Sequence, residues 1–479
     1  MTNKIHPNWY LVTGILTISA SHMSYSVDLI AWISSVPFLL YLSQTKGWKS
    51  KAIFIMALII AWSCVVYKII TPPIPFAMVF LFSIPISLFH LPAYLLWNRF
   101  KEKKWSVLLF PAVITTMEWI QYTFTPFASW GVAAYTQSHS ISLMQSLSIF
   151  GMPGLSFLIY WVNSSMAEIA IKQKITRLTF YFPLSALIAL ILFGSLRYEI
   201  SKSKGMDMMT VAAVGSDSEV SGLPLPSKES RAKIQSDMFN RTRQAAKSGA
   251  RLIVWNEAST FCLTSDEPAW KDSLSALASS LNIYLVASYV MPVSESPFKY
   301  ENKYLFMDSK GRIAYTYHKH QPVPGEPAIA GLEPQKVFDI DGSLTGGAIC
   351  YDYDFPYLAK GFGKLNADIV GIPSSDWRGI DPLHTRMSAF RAIEQGHSIL
   401  RSTRFGLSAA ITPYGEMTSQ MSSFDHNDKI MMAHLPVHGV TTVYSVIGDC
   451  FLYLCMAFMV LFFISVFRST NQNNAAKTD

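Results

Sequence analysis

Long apolar runs alternate with short polar segments over the first 200 residues of the chain. Most of these runs approach the roughly 20 residues that a helix needs to cross a bilayer core. We predict seven membrane spans in this part and an eighth near the end of the chain. The eight predicted spans are Tyr10–Tyr25, Val27–Leu42, Ala52–Ile70, Phe76–Trp97, Trp105–Tyr122, Phe150–Ile171, Leu178–Leu196 and Asp449–Phe467.

The loops between the predicted spans differ in charge. Every second loop carries three or four Lys or Arg residues, and the loops between them carry none. Basic loops stay on the cytoplasmic side of a membrane. The pattern therefore predicts cytoplasmic termini and a large outer segment before the last span. The basic loop residues are Lys46, Lys49, Lys51, Arg99, Lys101, Lys103, Lys104, Lys172, Lys174 and Arg177.

Composition separates the two halves of the chain further. Charged residues make up 15% of the sequence, against about 25% in a typical soluble domain. Residues 1–200 hold 13 basic and 5 acidic side chains, whereas residues 201–479 hold 26 and 27. The net charge of +7 thus comes from the apolar half, which excludes a soluble single-domain protein, a disordered chain and a nucleic-acid binder. We predict a seven-span membrane domain (1–200), an outer domain (201–448), and a last span with a cytoplasmic tail (449–479).

One ionisable residue, Glu118, lies within the fifth predicted span. A charged group at membrane depth is costly and marks a functional site by default. A Glu near the end of a helix also reaches the membrane interface, so the sequence leaves both interpretations open.

The outer segment alternates short apolar runs with helical stretches. Buried strands separated by helices are typical of an α/β fold with helices packed on the faces of a sheet. The predicted strands are Met209–Val214, Leu252–Trp255, Ile283–Val290, Tyr304–Met307, Ile313–Tyr317, Gly347–Cys350, Ile369–Pro373, Ile399–Ser402 and Leu407–Ile411. The predicted helices are Ser227–Ala246, Trp270–Leu281, Phe355–Lys364 and Pro382–Gln395.

Three reactive side chains stand at the ends of such strands: Glu257, Lys319 and Cys350. Residues just past a buried strand are held rigidly beside a crevice, where α/β folds keep their chemistry. A nearby ammonium, or the helix predicted to begin at Phe355, would favour the thiolate of Cys350. A carboxylate would move its proton, and the lysine would hold an oxyanion.

Each of the three residues also has an ordinary interpretation. A single Cys after an apolar run is more often a small buried residue. A Glu after a strand is more often a cap or a surface ion pair, and a single Lys is often solvated. Only the set of three indicates nucleophilic catalysis through a thioester.

The three residues in this order resemble the catalytic set of the nitrilase (carbon–nitrogen hydrolase) superfamily. With the predicted spans around the outer domain, nearly the whole chain resembles the apolipoprotein N-acyltransferase family of bacterial inner membranes. The motifs that carry this resemblance are Val254–Ala258, Tyr317–His320, Val323–Glu326, Ile349–Asp352, Arg391–Glu394, Leu400–Thr403, Gly406–Ser408, Pro413–Gly415 and Trp130–Gly131.

The resemblance implies an αββα sandwich in the periplasm, joined to an eight-helix transmembrane bundle. It implies that Cys350 takes an acyl chain from a phospholipid and passes it to the amine of a diacylglyceryl apolipoprotein. Glu257 then acts as the base and Lys319 at the oxyanion. Glu326, Tyr351 and Asp352 match supporting positions of the family, and no metal or cofactor is expected.

The sequence departs from the family at several of these positions. Asn256 stands where the family has Pro, Asp352 where it has Glu, and Arg404 where it has Asn. The segment between Lys319 and Glu326 is one residue shorter than in the family, and an Asn-Asp-Ala-Trp stretch is replaced by Ser374–Trp377. These departures bear on the substrate that accepts the acyl group.

Lipid substrates require a site that lies against the bilayer. The loop Pro327–Pro334 is apolar enough to touch lipid through Ile329 and Leu332, although it also suits ordinary packing over the site. Trp377, and Trp130 in a predicted outer loop, are further candidates for lipid contact.

Two alternatives to acyl transfer remain from the sequence. In the first, water resolves the thioester, and the protein is a membrane-anchored hydrolase or amidase. In the second, a diverged protein binds lipid or lipoprotein without turnover. The complete set of Glu257, Lys319 and Cys350 argues against the second, because binding alone does not need it.

Overall fold

The computed structural model describes residues 6–203, 205–216, 218, 224–425 and 429–475. Its contacts divide the chain into two compact units. Unit 1 comprises Met1–Glu199 with Ile447–Asp479, and unit 2 comprises Ile200–Val446. The end of the predicted cytoplasmic tail, residues 476–479, lies outside the described residues.

Unit 1 is built from helices. In chain order, the helices up to the start of unit 2 are Pro7–Ser21 (α1), Val36–Gln44 (α2), Trp48–Tyr67 (α3), Met78–Phe100 (α4), Ser106–Phe124 (α5), Ile141–Met144 (α6), Leu147–Lys172 (α7) and Phe182–Ser203 (α8). Short 3₁₀ segments lie at Asp28–Ile33 and Ala133–Gln137, and one π turn lies at Arg177–Tyr181.

Among the described residues, five helical segments are long and apolar enough to cross a membrane: Trp48–Tyr67, Met78–Phe100, Leu147–Lys172, Arg177–Lys202 and Cys450–Arg468. They correspond to predicted spans three, four, six, seven and eight. Helices α1 and α2 have only 15 and 9 residues, below the roughly 20 of a full crossing.

The second predicted span, Val27–Leu42, is wrong as a continuous helix. The structure divides it into the 3₁₀ segment Asp28–Ile33 and helix α2. The break falls where Pro37, in the first turn of α2, has no N–H to continue a preceding helix, and where the hydroxyl of Ser34 competes with the backbone for a hydrogen bond. Ser34 donates its hydroxyl to the carbonyl of Ala31 at 3.1 Å, and Ser35 receives a hydrogen bond from Tyr94.

Glu118 on α5 is buried inside unit 1 and does not reach its surface. Its Oε1 accepts hydrogen bonds from the backbone N–H of Ala133 and from the hydroxyl of Tyr160, each at 2.9 Å. The carboxylate therefore fastens the segment after α5 to helix α7. This placement contradicts the interpretation that Glu118 reaches the membrane interface.

Unit 2 contains two six-stranded sheets. The strands are Met208–Val214 (β1), Leu252–Trp255 (β2), Tyr284–Glu295 (β3), Phe298–Met307 (β4), Ile313–His318 (β5), Val337–Ile340 (β6), Ser343–Gly347 (β7), Ile369–Ser375 (β8), Ser398–Arg404 (β9), Leu407–Ile411 (β10), Met417–Ser422 (β11) and Ile430–Pro436 (β12). One sheet has the order β12-β1-β2-β3-β4-β5 and the other β11-β10-β9-β8-β7-β6. Strands β1–β3 and β7–β9 run parallel, and the outer strands pair antiparallel.

A single apolar core fills the space between the two sheets. Val211, Val254 and Val286 of the first sheet pack with Ile369 and Leu400 of the second. Two apolar faces brought together in this way remove a large area from water, the dominant favourable contribution to folding. Cys350 belongs to the same buried cluster, so the nucleophile predicted from the sequence lies at the edge of the core.

Helices cover the outer faces of both sheets. The helices of this unit and the end of the chain are Lys228–Lys247 (α9), Glu267–Leu281 (α10), Pro356–Lys364 (α11), Leu383–Gln395 (α12), Val443–Ile447 (α13) and Cys450–Ala475 (α14). Met238 of α9 and Leu274 of α10 pack on the outer side of the first sheet. Helix α12 packs on β9 and β10 of the second sheet. Unit 2 therefore has the αββα layering that the resemblance implies.

Candidate active site

Glu257 follows strand β2 after one residue, Asn256, and lies between the two sheets. Its backbone N–H donates to the carbonyl of Ser374 at the end of β8, at 3.2 Å. The side chain is buried and accepts a hydrogen bond from Asn302 Nδ2 at 2.7 Å. The parallel strands thus place this carboxylate at their carboxyl ends, where such sheets carry their ligands.

Lys319 follows strand β5 and is buried between two carboxylates. Its Nζ donates to Glu257 Oε1 at 2.8 Å and to Glu326 Oε2 at 2.7 Å. Burial alone would lower the pKa of Lys319, but the two carboxylates outweigh it and raise the pKa well above its usual value. The ammonium is therefore charged throughout the neutral range.

Glu326 reaches the site although its segment is one residue shorter than in the family. A tight turn brings it back, because the Glu326 N–H donates to the carbonyl of Val323 at 2.8 Å. Its Oε2 accepts the N–H of Val323 at 2.9 Å. Burial opposes the charged carboxylate, but Lys319 holds the pKa of Glu326 below its usual range.

Two residues of β4 complete this part of the site and were not predicted from the sequence. Asn302 donates to Glu326 Oε1 at 3.2 Å as well as to Glu257, and Tyr300 donates its hydroxyl to Glu326 Oε1 at 3.0 Å. The predicted strand began only at Tyr304, so both residues fell outside it. The signal in the sequence was the polar Asn302, which lies just before the apolar run Tyr304–Met307 and could have been assigned to the same strand.

Cys350 opens a 3₁₀ turn, Cys350–Asp354, that follows strand β7. We call this segment the nucleophile turn. Cys350 has a backbone φ of 48°, in the left-handed region that costs a non-glycine residue free energy. Its Sγ lies 3.6 Å from the carbonyl oxygen of Ser375. The surrounding contacts therefore hold Cys350 in a strained conformation at the ends of the strands.

The charge state of Cys350 differs from the sequence prediction. Burial, followed by the charge of Glu257, raises the pKa of the thiol well above its usual value; Lys319 and Arg401 oppose this without overcoming it. The helix predicted at Phe355–Lys364 is confirmed at Pro356–Lys364, so its N-terminus follows the nucleophile turn. The resting group is therefore a thiol that needs a base, and Glu257 is the carboxylate whose charge acts on it.

Asp352 connects the nucleophile turn to the lysine segment. Its Oδ2 accepts the N–H of Ile349 at 3.0 Å and the hydroxyl of Tyr317 at 2.9 Å, and its Oδ1 accepts the N–H of Gln321 at 2.7 Å. Burial raises the pKa of Asp352 to about 7 despite these three donors. Asp352 thus links the nucleophile turn to the lysine segment by hydrogen bonds. The part that Tyr317 takes in this link was not predicted from the sequence.

Three further residues were predicted from the sequence to support the site or to contact lipid. Tyr351 is buried in the nucleophile turn, with its ring edge-on to Phe355 at a centroid distance of 5.3 Å. Trp130 is only 6% exposed within unit 1, which leaves little of its surface for lipid. The structure therefore does not support lipid contact through Trp130. Trp377, half-buried after β8, keeps part of its ring on the surface of unit 2.

The loop Pro327–Pro334 is anchored to the site by its backbone. The N–H of Gly331 donates to the carbonyl of Lys319 at 2.8 Å, and the N–H of Ile329 donates to the carbonyl of Tyr300 at 2.9 Å. Ile329 is 43% exposed and Leu332 is 93% exposed. The loop therefore presents Leu332 on the surface of unit 2, and its contact with lipid stays a prediction.

Two of the departures from the family also have a structural explanation. Asn256 receives the N–H of Ser216 at 2.7 Å and donates to the carbonyl of Glu257 at 2.8 Å, so it ties two strand ends together. Arg404 is buried and donates to the Ser375 hydroxyl at 2.9 Å and to the Ala258 carbonyl at 3.4 Å. Both substitutions therefore hold the turn that carries Glu257.

Three donor atoms near the nucleophile superficially suit a metal ion. Ligand atoms of Cys350, Asp376 and His384 lie within 4.8 Å of one another. However, the guanidinium of Arg401 donates to Asp376 Oδ1 at 3.1 Å and lies 2.9 Å from His384 Nδ1. A fixed cation already occupies this position and would repel a second one, so the residues present do not fit a metal.

A buried Glu, Lys and Cys at the strand ends of a paired-sheet α/β sandwich resemble the site of the carbon–nitrogen hydrolase superfamily. The "Carbon-nitrogen hydrolase" family model accordingly matches residues 210–444. The model "Apolipoprotein N-acyltransferase N-terminal domain" matches residues 13–165.

Curated relatives agree over most of the chain. An apolipoprotein N-acyltransferase of Rickettsia prowazekii is 25% identical over 81% of this chain and 82% of its own. The corresponding protein of Geobacter metallireducens is 23% identical over 93% and 92%. The chain is thus similar over most of its length to the apolipoprotein N-acyltransferase family. Among solved structures, an amidase from Nesterenkonia sp. is similar with a TM-score of 0.41 and 19% identity, over 52% of this chain and 96% of its own.

Proposed function

We propose that this protein transfers a fatty acyl chain from a phospholipid to the free α-amine of the S-diacylglyceryl cysteine of apolipoproteins. The reaction passes through a thioester on Cys350. The observation that carries the proposal is the buried Lys319 ammonium, hydrogen-bonded to both Glu257 and Glu326 beside the thiol. A lysine so placed serves catalysis better than stability, because a buried ion pair stabilises a fold little.

The first half of the reaction forms the acyl-enzyme. Glu257 takes the proton of the Cys350 thiol, and the sulfur attacks the carbonyl carbon of the phospholipid ester. Lys319 Nζ has two acceptors among the described residues, which leaves one of its three N–H groups for the oxyanion. The carbon–oxygen bond then breaks, the proton on Glu257 passes to the leaving alkoxide, and a lysophospholipid departs.

The second half consumes the thioester. The neutral amine of the lipid-modified cysteine attacks the carbonyl carbon, and Glu257 accepts a proton from the amine nitrogen. The carbon–sulfur bond breaks, and the proton returns to the sulfur of Cys350. The products are an amide and the original thiol. Glu326 keeps Lys319 in place through both halves, and Asp352 holds the nucleophile turn.

The proposal places the protein in a bacterial inner membrane as an eight-span protein. Unit 2 would face the periplasm, and both termini would lie in the cytoplasm. The supports are the five helices that are long and apolar enough to cross a membrane and the alternation of basic and uncharged loops. Ile329, Leu332 and Trp377 are proposed to contact lipid at the site.

The test is intact-protein mass spectrometry of the purified full chain after incubation with phospholipid. We expect a fatty-acyl adduct on the wild type that is absent from Cys350→Ala. Cys262→Ala is the matched control, because Cys262 is the other buried thiol of unit 2 and burial raises its pKa to about 11. It should keep the adduct. A diacylglyceryl-cysteine peptide should discharge the adduct and gain the acyl chain.

Two other results would contradict the proposal in different ways. An adduct that decays at the same rate with and without the peptide would show that water resolves the thioester, as in a hydrolase. The absence of an adduct with every phospholipid tested would contradict the covalent mechanism and leave a protein that binds lipid or lipoprotein.

A further inference from the structure

A second charged cluster lies beside Cys350, separate from Glu257, Lys319 and Glu326. Its centre is His384 on α12, buried between two carboxylates. His384 Nε2 lies 3.0 Å from Asp354 Oδ1, and His384 Nδ1 lies 2.7 Å from Asp376 Oδ1. Arg401 on β9 donates to the same Asp376 oxygen at 3.1 Å. We call these four residues the histidine cluster.

The histidine cluster touches the nucleophile in two ways. Asp354 is the last residue of the nucleophile turn, so His384 holds the end of the segment that Cys350 begins. The ligand atoms of Cys350, Asp376 and His384 also lie within 4.8 Å of one another. At such a distance in a buried environment, each charge acts strongly on the others. The cluster therefore bears on both the position and the charge of the sulfur.

The hydrogen bonds of His384 require a charged ring. Both ring nitrogens face carboxylate oxygens at 3.0 Å or less, and an imidazole donates from both nitrogens only when it is protonated. Arg401 Nη2 also lies 2.9 Å from Nδ1, a contact that suits a neutral ring, but two carboxylates outweigh one guanidinium. Burial alone would lower the pKa of His384, and the carboxylates of Asp354 and Asp376 raise it to about 9.

We propose that protonated His384 is a positioning residue for Cys350: it holds the nucleophile turn through Asp354 and supplies positive charge beside the sulfur as the thiolate forms. The inference rests on the proposed function, because it takes Cys350 as the nucleophile. It explains how a residue with a left-handed backbone is maintained, since such strain persists only where surrounding contacts enforce it. It also gives the thiolate a third cation besides Lys319 and Arg401.

The test measures the pH dependence of Cys350 alkylation by iodoacetamide in the full chain, quantified on the peptide that contains Cys350. The titratable and charged groups that face the thiol, besides the ring itself, are Glu257, Lys319, Tyr351, Asp376, Arg401 and Arg404. Asp354, Asp376 and Arg401 face His384. His384→Gln removes the positive charge and leaves Asp354 and Asp376 uncompensated. We expect the alkylation midpoint to move to higher pH by about one unit or more.

A second variant predicts a shift of opposite sign. The charge of Asp376 raises the pKa of the thiol, so Asp376→Asn removes an opposing anion while Asp354 keeps His384 charged. We expect its midpoint to move to lower pH. A general loosening of the site would move both variants in the same direction, which makes the pair diagnostic. If His384→Gln does not fold, as judged by size-exclusion chromatography, the smaller neutral variant His384→Asn takes its place with the same expected shift.

His397→Gln is the matched control. His397 is also buried and contacts the same turn, with its Nε2 2.6 Å from the hydroxyl of Tyr353. Burial lowers the pKa of His397 to about 3, so its ring is neutral at working pH. We expect this variant to leave the midpoint where it is in the wild type, even if the protein melts at a lower temperature.

Two results would overturn the inference. In one, His384→Gln folds and leaves the midpoint unchanged. In the other, Asp376→Asn leaves the midpoint unchanged or raises it. Alkylation needs no acyl donor, so a protein that shows both predicted shifts but never forms an acyl adduct would refute the proposed function and retain the role of His384.

Discussion

Lys319 illustrates how much of this site depends on one buried charge. Two carboxylates, Glu257 and Glu326, share its ammonium at 2.8 and 2.7 Å. One carboxylate is enough to balance the charge of the lysine. Because Glu326 provides that carboxylate, Glu257 is free to lose its own negative charge by accepting a proton. Glu326 therefore keeps Lys319 paired while Glu257 is protonated during the reaction, which explains why two acids are needed.

We predict that Glu326→Gln lowers the rate of acyl-enzyme formation about 10- to 100-fold. The substitution removes a charge-assisted hydrogen bond to Lys319, which contributes about 1.5–3 kcal/mol, and each 1.4 kcal/mol corresponds to about tenfold in rate. The measurement is the time course of the acyl adduct. Glu333→Gln is the control, because Glu333 lies in the same connection between β5 and β6 but is hydrogen-bonded to His318. Equal losses in both variants would assign Glu326 to the folding of the loop.

Single residues were predictable where chemistry and strand position coincided. Lys319 directly follows a strand, Glu257 follows one after a single residue, and Cys350 follows a glycine-rich one after two residues. The structure brings the three side chains close enough for the charges of Glu257 and Lys319 to act on the thiol. Asn302 and His384 were not predicted to act because their importance comes from partners distant in sequence. Asn302 bonds a residue 45 positions away, and His384 one 30 positions away.

At the scale of elements, burial decided which strands could be predicted. Strands β2 and β10 match their predicted bounds, since both are almost wholly buried and read as continuous apolar runs. Strands β6, β11 and β12 were not predicted. All three lie at the edges of the sheets; β12 alternates buried with partly exposed positions, and β6 and β11 each have only one buried residue. An edge strand buries one face only, so a search for apolar runs passes over it.

The close approach of the two sheets at Gly347 gives a prediction for this scale. Gly347 accepts the Tyr304 hydroxyl at its carbonyl, and a Cβ on Gly347 would lie 2.8 Å from that hydroxyl oxygen and 3.1 Å from the carbonyl oxygen of Gly371. Gly347→Ala should cost about 1–3 kcal/mol of stability and slow acyl-enzyme formation, because β7 leads into the nucleophile turn. Differential scanning fluorimetry would show a fall of several degrees in Tm.

The control for this substitution is Gly205→Ala. A Cβ there has no atom within 4 Å, so the alanine should leave both Tm and acylation unchanged. A Gly347→Ala protein with wild-type Tm and acylation would mean that the sheets separate easily at this point. The sheet spacing would then not position Cys350.

At the scale of the whole molecule, charge and hydropathy carry different information. Within the described residues, hydropathy and length support five crossing helices. Helices α1 and α2 are too short to decide the matter by length, and α5, with 19 residues, is not among the five. The charge pattern is independent of helix length, because ten Lys and Arg residues fall in three alternate loops. The eight-span arrangement therefore rests on the positive-inside rule and on the parity of the crossings.

Reporter fusions test this arrangement directly. Alkaline phosphatase, which is active only in the periplasm, should be active when fused after Tyr25 or Gly205 and inactive when fused after Lys49, because basic loops remain in the cytoplasm. The fusion after Tyr25 lies between α1 and α2. It therefore shows whether these two short helices both cross the membrane or both stay on the cytoplasmic side. Activity after Gly205 without activity after Tyr25 would show five crossings before unit 2 in place of seven, with α1 and α2 both staying on the cytoplasmic side. Activity after Lys49 would contradict the predicted cytoplasmic position of the basic loops. It would also remove the support for placing unit 2, and the proposed acyl transfer, in the periplasm.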